Sequence, residues 1–185
     1  MSDPVSALQD ARFDGFARIS EIGPLGMISL RCKRDAPGLA AAVQAAVGLA
    51  LPGPRAIVQD GGRSAGWMSP DEYLLLLPHA EVPGALERLS KTLAGVHHLA
   101  VDVSDARSVF RIKGPLADQV VMKLCPVDLA TLPAGELRRS RAAQVACALW
   151  REGDGITLVA FRSVAGYVMG LLSHAAQPGS ELWPG

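Results

Sequence analysis

A chain of 185 residues, 49% hydrophobic but only 5% aromatic, has room for one domain or for one domain assembled from two similar halves. Lys+Arg and Asp+Glu number 18 each, so no net positive field draws nucleic acid or an anionic membrane surface, and protein partners are expected instead. Three cysteines, Cys32, Cys125 and Cys147, form no CxxC pair, which argues against a disulfide framework and against a thiolate zinc site.

The first residues mix Asp3, Asp10 and Asp14 into a few apolar positions and lack the basic start and apolar core of a signal peptide. The longest apolar stretches are too short or too interrupted to cross a bilayer, so a cytoplasmic, soluble protein is expected. Residues 1–24 read as a loosely ordered leader closed by Gly23-Pro24. Met27 to Cys32 reads as a strand, and 36–47 as a helix with Asp35 as its cap and Pro37 in its first turn. Gly48 and Pro52-Gly53-Pro54 end that helix. A short strand at 56–59 and a turn at Asp60-Gly61-Gly62 follow. Trp67-Met68 and Tyr73-Leu74-Leu75-Leu76-Leu77 read as two strands pivoting on Ser69-Pro70-Asp71. Residues 82–93 carry Val82, Leu86, Leu89 and Leu93 on one helical face, with Gly95 as the stop. A strand over 98–103 closes the first half.

The second half repeats this order. Val109 to Lys113 alternates as a strand, and Gly114-Pro115 turns it into a helix over 116–124. Residues 127–139 read as irregular. A hairpin joins 142–150 to 156–161 around Glu152-Gly153-Asp154-Gly155. Ser163 is expected to cap a last helix over 164–175, and 177–185 to form a frayed tail. The expected fold is α+β: antiparallel sheets with helices on one face, in two ferredoxin-like halves at about 25–103 and 104–176.

Chemistry-bearing patterns are sparse. No GxxxxGK[ST] is present and no GxGxxG follows a strand. His97 and His98 are neighbours on a strand and point to opposite faces, while His79 and His174 are isolated. Cys125 and Cys147 read as small buried residues, and Asp102 and Asp105 as turn aspartates. No catalytic, cofactor-binding or metal-ligating residue is therefore assigned. The cluster Arg138, Arg139 and Arg141 reads as a solvated edge or a partner contact, and Trp67 as a second contact candidate or a core residue.

Three stretches carry a resemblance. They are Gly66-Trp67-Met68-Ser69-Pro70-Asp71-Glu72-Tyr73-Leu74-Leu75-Leu76, the run from Asp102 through Gly114-Pro115 to Cys125-Pro126-Val127-Asp128-Leu129, and Phe161-Arg162-Ser163-Val164-Ala165-Gly166-Tyr167-Val168. Together, over residues 57–176, they resemble gamma subunits of heterotetrameric sarcosine oxidase, a family that looks like a distant relative of the folate-binding domain of glycine-cleavage aminomethyltransferases. The resemblance implies a holoenzyme that oxidises the N-methyl group of sarcosine to give glycine, hydrogen peroxide and a one-carbon unit. That unit passes to tetrahydrofolate or leaves as formaldehyde. It also implies alpha, beta and delta partner subunits, with FAD, FMN, NAD and tetrahydrofolate held by partners and none by this chain. Aminomethyltransferases carry acids in and after the hairpin turn; here Asp154 is followed by Gly155-Ile156-Thr157-Leu158-Val159, with no second acid. Fold without transferase chemistry is the implied reading. The alternatives are a stand-alone folate-binding or aminomethyltransferase-like protein, or an interaction domain serving another one-carbon enzyme.

Overall fold

The computed structural model describes residues 4–183. In chain order its strands are β1 (Arg12–Asp14), β2 (Arg18–Ile22), β3 (Leu25–Cys32), β4 (Ile57–Asp60), β5 (Arg63–Ser69), β6 (Glu72–Pro78), β7 (His98–Asp102), β8 (Arg107–Lys113), β9 (Leu137–Ala142), β10 (Val145–Glu152) and β11 (Gly155–Phe161). The helices are α1 (Leu39–Val47), α2 (Val82–Thr92), α3 (Ala117–Met122) and α4 (Ala165–Ala175). The chain divides into two units, Leu25–Ser104, and Met1–Pro24 joined with Asp105–Gly185.

In the Leu25–Ser104 unit the sheet runs β4-β5-β6-β3-β7, every pair antiparallel. Setting β4 aside as an added edge strand, the order β3–α1–β5–β6–α2–β7 is the βαββαβ of a ferredoxin-like fold. Tyr73, Leu75 and Leu77 of β6 face a core shared with Leu39, Val43 and Val47 of α1 and Val82, Ala85 and Leu89 of α2. Leu74 and Leu76, on the opposite face, are buried as well, which is why the strand reads as an unbroken apolar run rather than an alternation. The helix expected from residue 36 begins at Leu39. Gly38 precedes it with φ 82, a left-handed backbone that cannot continue a helix, and no side chain caps the first turn, so Asp35 does not serve.

In the other unit the sheet runs β1-β2-β8-β11-β10-β9, again antiparallel throughout. The same fold recurs as β8–α3–β10–β11–α4, but its closing strand, β2, comes from the N-terminal segment. Arg12–Asp14 and Arg18–Ile22 are therefore strands, not loose leader. Ala17 and Ile19 alternate with Arg18 and Ser20, a two-residue period that places the first pair in the core with Phe110, Ile112 and Leu158. The buried Glu21 carboxylate accepts bonds from Ser6 Oγ at 2.8 Å and Leu8 N–H at 2.9 Å, which also orders the residues ahead of β1.

Three further expectations are corrected. The segment 127–139 is not irregular throughout, because β9 starts at Leu137 and pairs with β10 from Val145↔Ala142 to Trp150↔Leu137. Ser163 lies in a 3-10 turn, Arg162–Val164, and caps nothing; α4 begins at Ala165. Within the described part of the tail, Gln119 donates to the Trp183 carbonyl at 2.9 Å and accepts from Leu182 N–H at 2.7 Å. Lys123 Nζ bonds the Ser180 hydroxyl and carbonyl, so this stretch is tied to α3 rather than frayed. Residues 1–3 of the leader and 184–185 of the tail lie outside the described residues.

Candidate functional site

The basic cluster sits on β9, an edge strand, and the strand's alternation splits it. Arg138 points toward the helix-bearing side and is consumed there. Its guanidinium binds Glu136 at 2.8 Å, the Asp128 carbonyl at 3.1 Å and the Thr131 carbonyl at 2.6 Å, locking the 3-10 turn Leu129–Thr131 against the strand. Arg139 and Arg141 lie on the opposite face, register partners of Ala148 and Ala146, and both are exposed. Arg138→Ala is expected to lower stability by ~1–3 kcal/mol, the cost of stripping charge-assisted bonds from a partly buried site. Arg141→Glu should leave the melting temperature unchanged. Thermal melts of both variants decide, and equal losses would contradict the division.

Trp67 stands beside Tyr73 in the β5–β6 ladder and packs against the α1–α2 core. Its indole N–H is buried with no hydrogen-bond partner. Burial pushes the Tyr73 phenol up, against the nearby Arg34 guanidinium, which pulls it down. The structure thus places Trp67 half-buried at the margin of the core. A pocket of about 440 Å³ opens between the C-terminal end of α1, the β4–β5 turn and α2. In it Arg63 already clasps Glu81 at 2.6 Å, and Arg88 caps the Ala46 carbonyl at 3.2 Å.

On the hairpin, sequence reasoning missed a polar row. Arg111, Thr157 and Trp150 are register neighbours across β8, β11 and β10. Glu152 joins them, bound by Arg111 at 2.6 Å, by Thr157 Oγ1 at 2.8 Å and by the Trp150 indole N–H at 3.4 Å. The signal was the alternation Arg107, Val109, Arg111, Lys113, which keeps the charged positions off the helix-packed face. Burial raises the Glu152 carboxyl, but the Arg111 and Thr157 bonds outweigh it and hold the group below its ordinary value. Stability from such a group is complete above the unfolded pKa and is lost as pH falls through the folded one. Glu152→Gln should therefore be less stable than wild type at neutral pH and converge with it in acid. Urea midpoints followed down through the carboxylate range test this, and parallel curves would contradict it. Asp154, the hairpin-turn acid, is exposed and paired with Lys113 at 3.3 Å.

The remaining candidates do not converge. Cys125 and Cys147 are buried neighbours; their mutual hydrogen bond, with burial, pushes the Cys147 thiol up and pulls the Cys125 thiol down. His98 gives Nδ1 to the Val96 carbonyl at 2.8 Å. Among the described residues no three His, Cys, Asp or Glu side chains gather to hold a metal, and no helix is long and apolar enough to cross a membrane.

A family model, "Sarcosine oxidase, gamma subunit family", matches residues 31–177. The chain belongs to that family. A gamma subunit of sarcosine oxidase from Arthrobacter sp is 35% identical over 129 residues, 65% of this chain and 62% of the relative, so less than two thirds of that relative is spanned. Among solved structures, a chain of the heterotetrameric sarcosine oxidase of Corynebacterium sp. U-96, in complex with pyrrole 2-carboxylate, superposes with a TM-score of 0.80 at 27% identity. That match covers 89% of this gamma-family chain and 87% of the other. The glycine cleavage system aminomethyltransferase T of Bartonella henselae matches with a TM-score of 0.59 at 13% identity over 85% of this chain and 46% of that one, a likeness of fold alone.

Proposed function

We propose that this chain is the gamma subunit of a heterotetrameric sarcosine oxidase, a folded packing partner that contributes no catalytic group. The observation that carries the reading is the likeness to a chain of such an enzyme over 89% of this chain, at a TM-score of 0.80. The holoenzyme's reaction would combine sarcosine, oxygen and water to give glycine, formaldehyde and hydrogen peroxide, or pass the one-carbon unit to tetrahydrofolate. FAD, FMN, NAD and tetrahydrofolate would reside in the partner alpha, beta and delta subunits, in the cytoplasm.

The pocket beside α1 and the hairpin acids do not fit those groups. A flavin or pterin needs a ring-sized slot with stacking side chains and free polar anchors. The pocket beside α1 has no aromatic lining, and its Arg63 and Glu81 are spent on each other. The hairpin acid that would face a folate is exposed and bound to Lys113, while Glu152 is tied up by Arg111 and Thr157. No chemical step is therefore routed through this chain. Its exposed Arg141 offers a guanidinium fork to carboxylates of the alpha subunit.

Capture of the tagged chain from its native lysate tests the reading, with flavin absorbance and sarcosine-dependent peroxide measured on the eluate. Yellow, active material with three companion subunits is the expected result, weakened by Arg141→Glu. A colourless single protein that binds tetrahydrofolate would overturn it and favour the transferase-like alternative.

A further inference from the structure

β7 is one of the two edges of the five-stranded sheet, opposite β4, and it is the wrong kind of edge to leave bare. Its outward residues Leu99 and Val101 are 56% and 42% exposed. Solvent-facing edge strands ordinarily carry lysine, proline or a bulge to block pairing with another chain. β7 has none of these in His98-Leu99-Ala100-Val101-Asp102.

The hydrogen-bond phase of the edge follows from one contact. Val103 N–H donates to the Met27 carbonyl at 2.8 Å. Hydrogen-bonded and non-hydrogen-bonded positions alternate along an antiparallel ladder. Val101 and Leu99 therefore spend their amides on Ser29 and Arg31, their partners in β3, while His98, Ala100 and Asp102 direct theirs away from the sheet.

That strand is complementary to itself. Laid antiparallel on a second copy about a two-fold axis at Ala100, it sets His98 opposite Asp102 at both ends, and Ala100 opposite Ala100. These are the positions with outward amides, so each pair exchanges backbone bonds. Leu99 then falls opposite Val101 at the closer-spaced, non-hydrogen-bonded positions, on the same face, where both exposed side chains are covered. A one-residue slip in either direction would lose the backbone bonds and turn the apolar side chains to the other face.

We propose that β7 is a self-association edge, on which two copies of this chain pair antiparallel to join their five-stranded sheets. The inference does not rest on the subunit reading. A single five-residue strand pair is small beside the interface of a permanent dimer, so the association is weak and depends on concentration.

Sedimentation velocity on the isolated full chain over a wide concentration series is the test. Wild type shifts toward dimer as concentration rises. Ala100→Pro removes the central outward amide without touching the β3 ladder, as proline is tolerated on the solvent side of an edge strand. It weakens the dimer about tenfold or more, as two hydrogen bonds are lost by symmetry. Leu99→Lys does the same by a different route, and unchanged melting temperatures show that both variants are folded. A wild-type chain that stays monomeric at every concentration overturns the proposal, as does a dimer undiminished in both folded variants. Amides of His98, Ala100 and Asp102 that gain hydrogen-exchange protection only with larger subunits, while the chain alone is monomeric, overturn it too and assign the edge to another protein.

Discussion

Deletion of residues 1–24 is expected to leave the unit built on β8 unable to fold, while the Leu25–Ser104 unit keeps a complete set of its own elements. The deleted segment carries β2, which pairs with β8 from Arg18↔Lys113 to Ile22↔Val109 and occupies the fourth-strand position of that unit's ferredoxin-like order. Without it β8 becomes an edge with unpaired amides and carbonyls. The core loses Ala17 and Ile19, and with them Phe13 and Phe16, which pack against it. Truncating one fully buried isoleucine costs ~2–5 kcal/mol, so Ile19→Ala alone is a severe lesion. Removing the whole strand reaches the ~5–15 kcal/mol that holds a domain folded. Limited proteolysis with mass mapping should find 105–183 digested and 25–104 protected. A truncated chain that unfolds cooperatively in both units would refute the assignment of β2.

That strand also marks where sequence reasoning stops. Elements whose partners are near in sequence were legible: α2 from its Val82, Leu89 and Leu93 stripe, β6 from its leucine run, and the β10–β11 hairpin from Gly153-Asp154-Gly155. The pairing of β2 with a strand about ninety residues away leaves no local trace beyond five residues of weak alternation. The start of β9 reads as irregular because Arg138 and Arg139 look solvated, and only the ladder to β10 makes them a strand. The sequence places the α1 start too early because a left-handed Gly38 ahead of the helix cannot be distinguished in sequence from a glycine within its first turn.

At the candidate surface the legible part was that three arginines cluster. What the sequence withheld was which of them is spent internally, because that depends on strand parity and on the 3-10 turn lying against Arg138. The Arg111–Glu152 pair was hidden for a related reason. Its members are far apart in sequence and meet only when β8 and β10 flank β11.

Gly155→Val is expected to destabilise the same unit by about 3 kcal/mol or more, beyond an ordinary overpacking penalty, because nothing soft is available to yield. Gly155 opens β11 between two neighbours, paired with Glu152 on β10 and with Lys113 on β8. A side chain at this buried position would be driven into the Ile112 carbonyl oxygen, with the Ile112 carbonyl carbon and Lys113 Cγ also at 3.2 Å. Relief requires the β8–β11 backbone to part at the point where the register of both ladders is set. The rows that depend on that register, Ile112 against Ile156 in the core and Arg111 against Thr157 on the other face, move with it. Gly166→Ala is the matched control. It lies in α4 with nothing within 4 Å of the added methyl, and alanine's helix propensity makes it neutral or stabilising by up to ~1 kcal/mol. Denaturant midpoints of the two variants separate steric loss from any general intolerance of glycine replacement. If this chain acts by packing against the flavin-bearing subunits, capture of flavin should fall with the folded fraction of Gly155→Val and stay at the wild-type level in Gly166→Ala. A Gly155→Val chain with a wild-type midpoint would show that the β8–β11 start is looser than its contacts require.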